Sequence, residues 1–102
     1  MFDRPKNELE KYAKRFLEHL EIELSRSPRT LSSYGQALRF FFDWGSLAKP
    51  SDITAEKVRE YRIHLNRKPT RFGTTLKKNT QAYHAIVSRT FLKYLAKQDV
   101  KT

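Results

Sequence analysis

The sequence predicts an all-α protein, a bundle of four amphipathic helices in one domain. Apolar residues recur at three- and four-residue steps in four separate segments, which is the spacing of a single helix face. Three glycines and four prolines among 102 residues are too few for the many tight turns of an all-β chain. No alternation with a period of two competes with the helical pattern, and the length is that of one domain.

The first helix is expected from Asn7 to about Ser25. Asn7 followed by Glu10 resembles a capping box, in which the Asn side chain accepts a hydrogen bond from an early backbone N–H. The apolar face comprises Leu9, Tyr12, Ala13, Phe16, Leu17, Leu20 and Leu24.

The second helix is expected to begin at Ser27-Pro28, a serine cap followed by proline at the first helical position, where the missing N–H costs nothing. Gly45 and the residues up to Pro50 end it. Its apolar face comprises Leu31, Tyr34, Leu38, Phe41 and Phe42. Phe40 falls on the opposite, polar face, where it is either an ordinary exposed residue or a contact to another helix or protein.

Two more helices follow. Thr54 caps a shorter one with Val58, Tyr61, Ile63 and Leu65 on its apolar face, and residues 66–73 form a basic loop suited to contacts. The fourth helix begins between residues 76 and 80, with Asn79 as a candidate cap. Its apolar face comprises Tyr83, Ile86, Val87, Phe91, Tyr94 and Leu95, and its polar face comprises Lys78, Gln81, Ala85, Ser88, Arg89 and Leu92.

Positive charge is concentrated in two segments. The net charge is +10, and residues 66–102 contain nine Lys and Arg against one acid, while residues 26–50 contain four against one. The other two segments are nearly balanced. A localised basic surface on a small domain is typical of a protein that binds a polyanion, above all nucleic acid, although a solvated surface has the same composition.

Other function classes lack their sequence signals. There is no cysteine, and three histidines on three different predicted helices have no metal-ligand spacing, so no metal site is expected. No phosphate-binding glycine motif or nucleophile motif occurs, so neither a cofactor nor an enzymatic activity is expected in this chain. No apolar run approaches the length of a membrane span, and no secretory signal is present, so we expect a cytoplasmic protein without membrane contact.

Two predicted helix starts have the residues of a DNA-binding surface. The free N–H groups and positive dipole of a helix start favour phosphate, and nearby cations add attraction. Gln36, Gln81 and Arg89 project from the core and are candidate base readers. The full candidate set is Arg26, Arg29, Thr30, Ser33, Gln36, Arg39, Arg71, Lys77, Lys78, Asn79, Thr80, Gln81 and Arg89. The alternative is that Asn79 is only a cap and Gln81 only a solvated side chain.

These segments resemble one known family. Residues 27–41 resemble the S-x-x-T-x-x-x-Y-x-x-x-L-x-x-F run of tyrosine recombinases, the phage integrase and Xer family. The third helix of the family's N-terminal core-binding domain is similar to the segment that begins with Asp52-Ile-Thr54 and continues with Val58, Tyr61 and Leu65. The fourth helix of that domain is similar to Asn79-Thr80-Gln81 together with the later R-x-F-x-x-Y-L run. The resemblance as a whole covers residues 7–98. Ser88 departs from the pattern, which has an apolar residue there.

The resemblance implies an orthogonal four-helix, SAM-like domain that packs on duplex DNA near the recombination core. By position, Arg29, Thr30 and Ser33 would contact phosphates from the second helix, and Lys77, Lys78, Thr80 and Gln81 would contact DNA from the fourth. The implied partners are double-stranded DNA, a C-terminal catalytic domain and other recombinase protomers. The catalytic tyrosine belongs to that other domain, so we expect a DNA-binding domain cut from a longer recombinase, or a free-standing DNA-binding protein.

Two other functions fit the composition. The main alternative is a protein-interaction bundle without a nucleic-acid role, for which Phe40 and Leu92 on outward faces are the best support. A basic helical module for RNA or an anionic membrane is the third, but no helix combines a strongly basic face with a strongly apolar one.

Overall fold

The computed structural model describes residues 2–67 and 78–100, except for the side chains of residues 78–80. It contains four helices, which we label α1 (Glu8–Ile22), α2 (Pro28–Gly45), α3 (Ala55–Arg67) and α4 (Lys78–Lys97), and a single 3₁₀ turn at Pro50–Asp52. The described residues contain no strand, which confirms the all-α prediction. The predicted loop does not start at Asn66, because α3 continues to Arg67, and the rest of that loop prediction lies outside the described residues.

The cap of α1 forms as the sequence predicts, but the helix ends early. The Asn7 side chain accepts from the Glu10 N–H at 2.9 Å. The chain leaves the helix after Ile22, and Ser25 takes a left-handed conformation with φ of 52°. Leu24 therefore lies beyond the helix and is half exposed, so its predicted place on the apolar face is wrong.

Ser27 caps α2, with its hydroxyl oxygen accepting from the Thr30 N–H at 3.2 Å and Pro28 at the first helical position. At the other end, Gly45 is the last helical residue, and Ser46 takes the left-handed conformation with φ of 51°. The Leu47 N–H then donates to the Phe42 carbonyl at 2.9 Å. This is a Schellman ending in which a serine occupies the position that glycine favours.

The last two helices confirm one cap and correct three expectations. Thr54 caps α3 by accepting from the Lys57 N–H at 3.0 Å. Asn79 lies inside α4 and is not its cap. Ile63 and Ile86 are exposed, whereas Ser88 is buried. Ser88 tolerates burial because its hydroxyl donates to the His84 carbonyl one turn earlier.

Aromatic side chains join the helices in the core. The Phe91 ring of α4 lies 5.4 Å from Phe16 of α1 and 5.7 Å from Phe42 of α2, measured between ring centroids. Helices α1 and α2 are antiparallel, since Arg39 contacts Glu10 while Tyr34 contacts Phe16.

Two residues expected on outward faces instead pack against the core. Phe40 is partly buried, with its ring 5.0 Å from that of His84 and 6.3 Å from that of Tyr61. Leu92 is also partly buried. The helical period alone predicts that both side chains face outward. For Phe40 the reason for the difference is that α3 and α4 cover that side of α2.

Candidate nucleic-acid interface

The starts of α2 and α4 lie side by side. The hydroxyl oxygens of Ser33 and Tyr83 are 2.6 Å apart in a hydrogen bond, and further along Phe42 contacts Phe91. Since these contacts follow the same order in both helices, α2 and α4 run in the same general direction. Ser33 and Tyr83 are each five positions beyond the first helical residue, so both helices begin about 7.5 Å before the hydrogen bond.

The start of α2 presents positive charge. Arg26, Arg29 and Gln36 are exposed, while Thr30 and Ser33 are half-buried. Within the described part of the chain, neither arginine has an acidic partner. The Thr30 hydroxyl accepts a hydrogen bond from the Ser27 hydroxyl at 3.0 Å, so the two hydroxyls stabilise the helix start while the guanidinium groups remain available.

The polar residues of α4 divide between two sides of that helix. Tyr83 contacts α2, whereas Gln81 lines a groove of about 500 Å³ between α4 and the end of α3. Arg89 is exposed and borders a smaller hollow further along the same two helices. Gln81 and Arg89 therefore lie on the α3 side of α4, away from the α2 contact.

Two arginines of this groove are not among the candidate residues expected from the sequence. Arg62 and Arg67 are exposed and line it together with Asn66. Arg62 lay in a segment with balanced charge, and Arg67 belonged to the basic loop predicted at residues 66–73 but was not among the candidate residues. Helical spacing places Arg62 and Asn66 on one face of α3, but only the antiparallel packing of α3 on α4 brings that face beside Gln81.

Arg39 differs from the other candidate arginines. Its guanidinium donates to both Glu10 carboxylate oxygens, at 3.1 and 3.3 Å, and lies 4.6 Å from the centroid of the Phe2 ring. The hydrogen bond from Arg39 holds the pKa of Glu10 below its usual value, against the opposing effect of burial. The Arg39 pKa is raised by the same bond. This guanidinium is thus occupied within the protein.

Arg71 and Lys77 lie outside the described residues, as do the side chains of Lys78, Asn79 and Thr80.

Two grooves of similar volume have linings of opposite charge. The α1–α2 groove is lined by Asp3, Glu18 and Glu21 with a single base, Lys14. The α3–α4 groove is lined by Arg62 and Arg67, with no acid among its described lining residues. The α3–α4 groove therefore attracts a polyanion more strongly than the α1–α2 groove does.

Neither a metal site nor a membrane span emerges from the described residues. No three of their His, Asp and Glu side chains come together as potential metal ligands. No described helix combines the length and apolar character needed to cross a bilayer.

The all-α architecture is consistent with a comparison to protein families. The model of the phage integrase N-terminal SAM-like domain matches residues 13–99. The chain belongs to this family. The match confirms the resemblance to tyrosine recombinases and associates this SAM-like domain with integrases. No match was found among the curated proteins or the solved structures.

Proposed function

We propose that this SAM-like domain binds duplex DNA for a site-specific recombinase, with the starts of α2 and α4 facing the DNA. The observation that carries the proposal is the Ser33–Tyr83 hydrogen bond, which holds the two helix starts together. Two adjacent helix starts direct free N–H groups and two positive dipole ends toward one region of space. One DNA duplex is long enough to contact both helix starts.

The chemistry of the α2 start fits a phosphate backbone. Arg26 and Arg29 are exposed without an acidic partner among the described residues, so phosphate binding breaks no described ion pair. Lys77 and Lys78 add charge in the sequence next to the start of α4. We assign phosphate contacts to these four residues and to Thr30, Ser33, Asn79 and Thr80, and base contacts to Gln36, Gln81 and Arg89.

The proposal leaves the chemical step to another domain of the parent recombinase. Two of the tyrosines support this division. Tyr61 is almost completely buried and burial raises its pKa, which disfavours the phenolate. The Tyr83 hydroxyl is bonded to Ser33. The partners of this domain are then duplex DNA, the catalytic domain and neighbouring recombinase protomers.

The test is the salt dependence of duplex binding. With four to seven phosphates neutralised, the logarithm of the affinity falls against the logarithm of the salt concentration with a slope of about −4 to −6. The measurement is fluorescence anisotropy with a labelled 30-base-pair duplex of mixed sequence. An affinity that does not change between low and moderate salt contradicts the proposal.

A matched pair of variants locates the contact. Arg29→Ala makes the slope less negative by about 1, because one phosphate contact is lost. Arg59→Ala removes the same charge from an exposed arginine that pairs with Glu56 at 3.2 Å on α3, and it leaves the slope unchanged. Equal effects of the two substitutions would mean that only net charge matters and that the α2 start makes no specific contact.

The protein-interaction alternative loses its original support. It depended on Phe40 and Leu92 as outward apolar residues, and both pack against the core. The most exposed large apolar residues among those described are Ile22 at the end of α1, at 71%, and Ile86 on α4, at 52%.

A further inference from the structure

We infer that the α3–α4 groove is a second phosphate-binding surface, which takes the DNA strand opposite the one contacted by the start of α2. This inference rests on the proposed function and adds α3 to the interface. The groove has a volume of about 500 Å³ and is lined by Arg62, Asn66, Arg67 and Gln81, with Ile63, Ala82 and Ala85 among its apolar residues.

The position of the groove relative to α2 supports a contact with the second strand. Gln81 and Tyr83 are two positions apart in α4, so they project about 200° apart around the helix. Tyr83 contacts α2 and Gln81 faces α3. Helices α2 and α3 therefore contact different sides of the first turns of α4. The two helices meet further along α2, where the Phe40 ring lies 5.0 Å from that of His84 and 6.1 Å from that of His64.

The dimensions of DNA match this arrangement. A helix with its side chains is about 10–12 Å across, and the major groove of B-DNA is about 12 Å wide. If the start of α4 occupies the major groove, cations on either side of it meet the two walls of that groove. Arg26 and Arg29 face one phosphate backbone, while Arg62 and Arg67 face the other.

The groove also has the right chemistry for a phosphodiester chain. Arg62, Arg67 and the nearby Arg89 are exposed, and none of them forms an ion pair with a described residue. Guanidinium groups bind phosphate in a bidentate manner, and the amide of Asn66 supplies a polar contact. The alanines and Ile63 offer apolar surface to deoxyribose.

The test combines two substitutions in the groove and compares them with a matched control. Arg62→Ala with Arg67→Ala makes the salt slope less negative by about 1.8 and weakens duplex binding by about 10- to 60-fold at 0.1 M salt, since about 0.9 is lost per phosphate. The control is Arg59→Ala on the same helix, which lies outside the groove and leaves the slope unchanged. Lysine at both groove positions keeps the slope near that of the parent.

A triple variant that combines Arg62→Ala and Arg67→Ala with Arg29→Ala tests whether the two surfaces act on the same duplex independently. The effects of the two surfaces on the free energy of binding are expected to add, because the contacts lie on separate strands. Thermal unfolding of each variant shows that the fold is retained, as expected for exposed side chains without described partners.

The outcomes separate this inference from the proposed function. If Arg29→Ala weakens DNA binding and the groove variant does not, the second phosphate surface is wrong and the proposed function stands. If the parent protein shows no salt-dependent duplex binding, both fail. If the groove variant loses binding to polyglutamate but not to DNA, the groove binds an acidic peptide and the inference is overturned.

Discussion

Glu10 shows how a single residue combines local and tertiary roles. Its N–H bonds to the Asn7 cap, while its carboxylate accepts from the Lys6 N–H at 3.3 Å and from the Arg39 guanidinium. The residue is only 4% exposed. A buried carboxylate is tolerated because its oxygens are hydrogen-bonded and its charge is paired.

This ion pair predicts a pH dependence of stability. Because the pKa of Glu10 is lower in the folded protein than the unfolded value of about 4.3, its stabilisation is present above that value and is lost as pH falls through the folded pKa. Glu10→Gln is expected to reduce the free energy of unfolding by about 1–3 kcal/mol at pH 7 and to flatten its pH dependence below about pH 4.5. Urea unfolding across pH 2–7 measures both.

The control for this prediction is Glu18→Gln, an exposed carboxylate on the same helix. It should change the free energy of unfolding by less than about 0.5 kcal/mol. A pH profile of Glu10→Gln that parallels that of the parent protein would contradict the role assigned to the ion pair.

At the scale of the element, the helix starts are determined locally and the helix ends less so. Asn7, Ser27 and Thr54 each accept a backbone N–H of their own first turn, so adjacent sequence is enough to identify them. The ends depend on single residues in the left-handed region, Ser25, Ser46 and Asp99. None of these is glycine, so the sequence gives little sign of where α1 and α4 end, whereas the predicted end of α2 at Gly45 is confirmed.

Ser46 offers a direct test of the α2 ending. Ser46→Gly is expected to raise the free energy of unfolding by about 0.5–1 kcal/mol, because glycine adopts a φ of 51° without the steric penalty of a side chain. Ser46→Ala keeps that penalty and should give no gain. Thermal and urea unfolding compare the two variants, and equal stability of Gly and Ala at this position would rule out backbone strain as the cause.

At the scale of the molecule, Phe91 connects three of the four helices. Its ring is fully buried against Phe16 and Phe42. The same three helices hold the Ser33–Tyr83 contact in place, since α2 and α4 meet α1 around this ring. The stability of the core and the geometry of the proposed interface are therefore linked.

Phe91→Ala is expected to reduce the free energy of unfolding by about 3–5 kcal/mol, because a fully buried ring is replaced by a cavity. That loss is a large part of the total free energy of unfolding of a domain of this size. Ile86→Ala, on the same helix but 52% exposed, should cost much less. Urea unfolding followed by circular dichroism gives both values, and equal losses would contradict the packing described here.

The amino-acid sequence alone specifies the four helices, three of their caps, most of the apolar faces and the family resemblance. These depend on residues close together in the chain, whose periodicity and capping chemistry are independent of the rest of the fold. It also placed positive charge in two segments, but it did not distinguish Arg29, exposed and unpaired among the described residues, from Arg39, which is bound to Glu10.

The packing of the helices determines which of their surfaces meet. It covered Phe40 with α3 and α4, placed the starts of α2 and α4 beside each other, and brought Arg62 and Arg67 into one groove with Gln81. The physical reason is that a helical period specifies which residues share a face, while the neighbour of that face is set by how whole helices pack together.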